Sequence, residues 1–222
     1  MSYPDGAVPL DRSAVAARLD RFPRLAVNLP ELKQAAVAVC VTETVTEHET
    51  VTERDHETET GAGPALLLTR RAAALRAHAG QWALPGGRRD AGETAIEAAL
   101  RELAEEVGVR LDADSVLGLL DDYVTRSGYV MTPVVCWAGQ VGQLTAAEAE
   151  VASVHQVPLA DLDVAPRFIS IPESDAPVIQ LPLFGGYLHA PTAAVVHQFC
   201  QIACRGTVRR VAHYEQPVFA WQ

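Results

Sequence analysis

The sequence predicts a single α/β or α+β domain. Three observations carry that reading. Apolar residues make up 49% of the 222 residues, enough for one substantial core and too many for a disordered chain. Short apolar runs rich in Val and Leu recur at strand length. Between them lies one strong helical segment, 94–107, and the alternation of strand and helix is irregular rather than strictly βα.

Taken in order, residues 13–22 (SAVAARLDRF) read as a short amphipathic helix with Ser13 as N-cap, inside an N-terminal extension spanning 1–34. Residues 35–41 (AAVAVCV) read as a buried strand that opens the main domain, 35–205. An insertion follows at 42–63. It repeats the triplet VTE and carries seven acids with His48 and His56 among them. Its Glu density opposes burial and its spacing fits no metal-ligand pattern, so it reads as a solvated hairpin extension or a flexible loop. Residues 64–69 are the returning strand, and 80–84 a strand entering a glycine turn. After the helix at 94–107 come strands at 117–125 and 129–138, with a turn at Ser127-Gly128. A short polar helix is expected at 145–151, a strand at 154–158, and a helix or turn opening at 160–162. The last helix is placed at 193–203 with Thr192 as N-cap, before a tail at 206–222.

The net charge of −10 argues against sequence-independent nucleic-acid binding, which needs a basic face. It leaves room for an anionic small substrate, because local charge can oppose the global sign. Cys40, Cys136, Cys200 and Cys204 form no C-x-x-C pair and read as reduced thiols. The first residues carry an early Asp and no apolar run, and no stretch approaches the roughly 20 residues of a membrane span. A cytoplasmic protein without a membrane partner is expected.

Residues 84–109 read LPGGRRDAGETAIEAALRELAEEVGV. On a helix, Glu102, Glu105 and Glu106 fall at i, i+3 and i+4, stacked on one face. Like charges at that spacing repel. Three carboxylates there suit a hard divalent cation, Mg²⁺ or Mn²⁺. Ala95, Ala98, Ala99, Leu103 and Val107 supply a core-facing side. Gly86 and Gly87 allow close backbone approach, and a carbonyl freed there can also bind metal. Arg101 can reach back to Glu93 and tie the loop to the helix, and Gly108 ends it. A merely solvated face, with pairs such as Glu97 and Arg101, does not account for the glycine pair, Glu93, the arginine and the closing Gly108-Val109 together.

This spacing, from Gly87 through Glu93, Arg101-Glu102-Leu103 and Glu105-Glu106 to Gly108-Val109, resembles the signature of the Nudix hydrolases at every specified position. The resemblance implies an α/β/α sandwich with a mixed β-sheet, here carrying the inserted acidic hairpin or loop. It implies hydrolysis of a nucleoside diphosphate linked to another moiety. It also implies Glu102, Glu105 and Glu106 as ligands of Mg²⁺ or Mn²⁺, with the Gly86 carbonyl nearby. Glu102 and Glu105, with Arg101 and Glu93, form the expected catalytic set. One of the carboxylates, or a glutamate from another loop, would act as general base.

Upstream, Leu67-Leu68-Thr69-Arg70-Arg71-Ala72, then Arg76, Gly80 and Leu84-Pro85-Gly86-Gly87, is similar to the extra signature of coenzyme A pyrophosphatases within that family. Leu84 departs from it, standing where Phe is usual. Residues 123–135 are similar more loosely. The implied reaction splits CoA or a CoA ester into 4′-phosphopantetheine, or its acyl form, and adenosine 3′,5′-bisphosphate. Arg70, Arg71, Arg76, Arg88 and Arg89 concentrate positive charge in an acidic chain, and guanidinium forks suit phosphate oxygens. Arg70, Arg71, Arg76, Gly87 and Arg88 are the expected substrate-binding residues. His78 and Gln81 lie between the two signatures. Asp121, Asp122, Glu148 and Glu150 are further candidates for an extra carboxylate. The alternative activities are hydrolysis of ADP-ribose, NADH or a nucleoside triphosphate. A different class is a ligand-sensing module without turnover, which need not keep all the glutamates. The acidic insertion is the expected place of a partner or homodimer contact.

Overall fold

The apolar run that starts at Ala35 becomes the central strand of the molecule, β1 (Lys33–Thr44). The computed structural model describes residues 10–44, 63–72 and 80–221. Along β1 successive side chains alternate between two cores, as a strand demands. Ala36, Ala38 and Cys40 face one cluster, while Val39 and Val41 face the other.

Around β1 stand β2 (Gly63–Arg71), β3 (Trp82–Ala83), β4 (Gly86–Arg88), β5 (Val116–Leu119), β6 (Tyr123–Val124), β7 (Tyr129–Gly139) and β8 (Val151–Pro158). They form one mixed sheet: β1 runs parallel to β7 and antiparallel to β2 and β4. Strand β2 pairs with β1 only through Ala65 and Leu66 and the two residues before them, with Thr44 opposite Gly63. Further on, β2 pairs with β3, while β4 pairs with the early part of β1. The segment 82–88 thus wedges into the fork between β1 and β2. The glycine pair that read as a turn is therefore part of a short strand. Residues 45–62, including most of the acidic insertion with His48 and His56, lie outside the described residues.

One face of the sheet is covered by helix α2 (Ala95–Val107), which buries Ala98, Ala99, Leu103 and Val107. Its start follows from Thr94, whose hydroxyl accepts from the Glu97 N–H while the Glu97 carboxylate accepts from the Thr94 N–H. Its end follows from Gly108, which adopts a left-handed conformation at φ 77°. Replacing Thr94 by Ala is expected to cost about 1 kcal/mol. Thermal unfolding should show a drop of roughly 2–4 °C for a chain of this size.

The opposite face is covered by α1 (Arg12–Asp20), the short α3 (Leu159–Leu162), α4 (Thr192–Ala203) and a second sheet. That sheet joins β9 (Arg167–Ile171), β10 (Ser174–Leu183) and β11 (Gly186–His189) in antiparallel order. The result is a mixed sheet between two layers, the sandwich anticipated from the sequence.

Several local expectations are corrected. Helix α1 is capped by Asp11, which accepts from the Ala14 N–H at 2.8 Å; Ser13 lies inside the helix and donates to Asp11. The strand expected over 117–125 is broken into β5 and β6. No helix forms at 145–151. There the Thr145 and Ala147 N–H groups donate to the Val107 and Glu106 carbonyls, so the segment's donors serve the end of α2 instead of a helix of its own. Thr192 opens α4 without a side-chain cap. Strands β9 to β11 had no counterpart in the sequence reading, and the tail packs back onto the domain through the Arg210–Asp121 and Arg126–Glu215 ion pairs.

Candidate active site

Helix α2 stacks Glu102, Glu105 and Glu106 on one face, which grades from the exposed Glu105 to the buried Glu106. Arg101 sits at their centre. Its Nε donates to Glu93 Oε1 at 2.9 Å, and its Nη1 to Glu102 Oε1 at 2.9 Å and Glu105 Oε2 at 3.1 Å. Its Nη2 reaches the Arg88 carbonyl at 3.1 Å. The guanidinium thus pins the β4 loop to the helix, as the spacing of Glu93 and Arg101 anticipated. The Arg101 bond holds the Glu93 carboxyl below the ordinary carboxylate range. Glu97, the other possible partner, is occupied at the helix cap.

Glu106 is the most enclosed acid of the group, 5% exposed. Burial first, and the neighbouring Glu102 second, push its carboxyl up to about 7, against a hydrogen bond from the Gly86 backbone and the positive charge of Arg71. Glu102 is raised by burial, opposed by its bond to Arg101. Glu105 is largely exposed at the rim.

The glycine pair makes this closeness possible. A Cβ on Gly87 would stand 2.3 Å from Glu102 Oε1, and a Cβ on Gly86 would stand 2.4 Å from the Ala36 carbonyl oxygen. At Gly86 only hydrogen fits against the backbone of β1, and at Gly87 only hydrogen fits while Glu102 keeps its place.

The arginines are divided by the pleat of β2. Arg71 follows Thr69 and Leu67 on the α2 side, and its charge acts on Glu106. Its Nε is buried without a hydrogen-bond partner. Arg70 points to the opposite face, where its guanidinium lies 4.9 Å from the centre of the Trp82 ring. Arg88 is exposed. Arg89 donates twice to the Glu93 carbonyl and so braces the loop. Arg76 and His78 lie outside the described residues.

The other acids separate sharply. Asp121 accepts from Arg210, Gln198 and the Leu25 N–H, and Asp122 from Arg24, Thr132 and the Val27 N–H. Both are committed to fastening the two ends of the chain to the domain. Glu150 behaves differently. The segment that failed to become a helix carries it close enough to α2 that its charge raises the carboxyls of Glu102 and Glu106. Its backbone carbonyl accepts from the Ala72 N–H at 2.9 Å, anchoring it beside the end of β2.

Among the described residues no three His, Cys, Asp or Glu side chains already converge as a metal cage. Arg101 Nη1 lies between Glu102 and Glu105. The donor set nevertheless fits a hard cation: only carboxylate oxygens, crowded until one of them is driven toward the neutral form. Glu102, Glu105 and Glu106 are the residues that would hold it.

The model of the NUDIX domain matches residues 33–180. A protein of Cronobacter sakazakii named uncharacterized Nudix hydrolase NudL is 46% identical over 99 residues, 44% of this chain and 52% of the relative. Its namesake in Escherichia coli K12 is 46% identical over 98 residues, 44% of this chain and 51% of the relative. The chain spans about half the length of these curated relatives. Among solved structures, a MutT protein from Methanosarcina mazei Go1 aligns at TM-score 0.42 and 20% identity, covering 63% of this chain and 82% of its own. A MutT/nudix family protein from Enterococcus faecalis aligns at 0.44 and 17%, covering 80% and 62%. With the family model matched across more than half of its length, the chain belongs to the Nudix domain family.

Proposed function

We propose that the protein hydrolyses the diphosphate bond of coenzyme A or a CoA ester, with Mg²⁺ or Mn²⁺, to give 4′-phosphopantetheine (or its acyl form) and adenosine 3′,5′-bisphosphate. The observation that carries the reading is the acid cluster itself. Glu102 and Glu106 are held in repulsion beneath Gly86-Gly87, with Arg71 beside them. Such a cluster costs the fold stability and is explained by a cation that neutralises it. The narrower claim, CoA among nucleoside diphosphate derivatives, is supported by the sequence pattern from Leu67 to Gly87.

A bound divalent ion would offset the diphosphate charge and make water at the site easier to deprotonate. The chain's own groups do the rest. Arg71, with its spare Nε–H, donates to a diphosphate oxygen. Arg101 holds Glu102 and Glu105 in place through the Glu93 anchor. Glu106, pushed up by burial, is the acid whose surroundings suit proton acceptance from the attacking water, since a base works best near the operating pH. Glu150, whose charge acts on both Glu102 and Glu106, is the glutamate from another loop placed to assist.

The test is to incubate the purified protein with CoA and either ion, and to identify products by chromatography. Both named products should appear, and a chelator should suppress them. Hydrolysis of ADP-ribose, NADH or a nucleoside triphosphate with CoA untouched would remove the CoA assignment. No turnover of any of them with metal bound would favour a sensing module instead.

A further inference from the structure

We infer that the face of the sheet opposite α2 carries a stacking subsite for the nucleobase of the substrate, built from Trp82, Phe184 and Arg70. The inference rests on the diphosphatase reading and adds the residues that would select a nucleotide over other diphosphates.

The first observation is an aromatic cluster at the same end of β2 as the acid cluster. The Trp82 ring lies 4.7 Å from His155 and 5.6 Å from Phe184, with the Arg70 guanidinium 4.9 Å from the Trp82 ring centre. Gln81, next to Trp82, accepts from the Arg71 N–H at 2.9 Å, and Gly86, four residues on, donates to Glu106. The Cα atoms of Trp82 and Gly86 are therefore within about 14 Å of each other. Arg70 and Arg71 are consecutive, so a ligand at this strand end meets Arg71 on the acidic side and Arg70 on the aromatic side. Planar rings beside a guanidinium, here held by the Gly80 carbonyl at 3.2 Å, suit a nucleobase with phosphate attached.

The second observation is the cost of placing Phe184 there. Leu183 pairs with Gly186, leaving Phe184 and Gly185 as a two-residue hairpin loop. Both have positive φ, 46° and 72°. That turn type favours Asn-Gly or Gly-Gly, and a bulky side chain at its first position is strained. Phe184 stays 36% exposed beside Trp82, so part of its ring remains open at the surface. The hairpin tip also lines a cavity with Pro182, Leu183, Tyr187 and Asp161, which gives a ring space beside Phe184. A contact surface for a ligand explains a phenylalanine where asparagine would fold better.

Phe184→Asn is the decisive variant, because it installs the residue the turn prefers. AMP and ribose 5-phosphate are the probes, read by calorimetry without added metal, so that binding is scored independently of turnover. The wild-type protein should bind AMP more tightly than ribose 5-phosphate. The variant should bind AMP about tenfold more weakly, the scale of losing one base–aromatic contact. Its ribose 5-phosphate binding and melting temperature should not fall. With CoA as substrate, KM should rise while kcat holds. Equal AMP affinity in variant and wild type, equal affinity of the two probes, or no AMP binding would each overturn the subsite. Failure of CoA hydrolysis with the AMP result intact would overturn only the CoA reading.

Discussion

Glu106→Gln should abolish diphosphate hydrolysis while making the metal-free protein more stable at neutral and alkaline pH. Both halves follow from the same burial. The folded-state carboxyl titrates at about 7, against an ordinary value of 4.5. Between those values the folded protein holds a proton that the unfolded chain has released. Stability therefore falls as pH rises through that window, and above it the full cost of a buried charge beside Glu102 is present. The amide removes the charge, keeps an oxygen for the Gly86 N–H, and offers its NH₂ to Glu102. On the order of 2–3 kcal/mol should be recovered near pH 8, or several degrees in the melting midpoint. Little should change at pH 4. In turnover the loss should be at least about 10²–10³, the scale of removing one electrostatic stabiliser of a transition state. Melting curves across pH, with and without Mg²⁺, check the first half, and steady-state rates the second. A variant that melts lower than wild type at pH 8 would contradict the enclosed, crowded carboxylate. One that turns over normally would contradict the ligand assignment.

The parts of the molecule that were legible in the sequence are those fixed by short-range chemistry. The span of α2 is written in Thr94, Glu97 and Gly108, and its glutamate face in 3.6-residue periodicity. The Arg101–Glu93 tie was readable because the two are only eight residues apart. Three things were not legible, each for a long-range reason. The segment at 145–151 has helical composition, but its backbone donors are claimed by the end of α2, which brings Glu150 to the site from 44 residues beyond Glu106. Strands β9 to β11 are interrupted by Pro177, Pro182 and charged residues, and they form because a second layer is needed over Val39, Val41 and Leu66. Asp121 and Asp122 looked like spare carboxylates because nothing local shows that Arg24 and Arg210 reach them from the two ends of the chain. The division of Arg70 from Arg71 was available in principle, since neighbours on a strand face opposite ways. The strand was predicted to stop at Thr69, two residues too early to apply that rule.

Gly86→Ala and Gly87→Ala should fail in different ways, and the contrast locates what each glycine does. A Cβ on Gly86 meets the Ala36 oxygen at 2.4 Å and the Val37 Cα at 2.6 Å, both backbone atoms of the central strand β1. That strand is held on both edges, by β2 and β4 on one side and β7 on the other. It has no room to retreat without breaking the ladder. The variant should lose about 3 kcal/mol or more, at the upper end of overpacking costs. Low soluble yield or a large drop in melting temperature would show it. A Cβ on Gly87 instead meets Glu102 Oε1 at 2.3 Å and its Cδ at 2.6 Å. Those atoms are the free end of a flexible side chain and can swing aside at small cost to the fold. Moving them, however, takes Glu102 off Arg101 Nη1 and out of the face it shares with Glu106. Gly87→Ala should therefore stay folded, melt within a few degrees of wild type, and lose most of its turnover and its stabilisation by Mg²⁺. Equal destabilisation in the two variants would mean that Gly87, too, is required by the sheet. Near-normal rates in Gly87→Ala would mean that the position of Glu102 is not what the glycine protects.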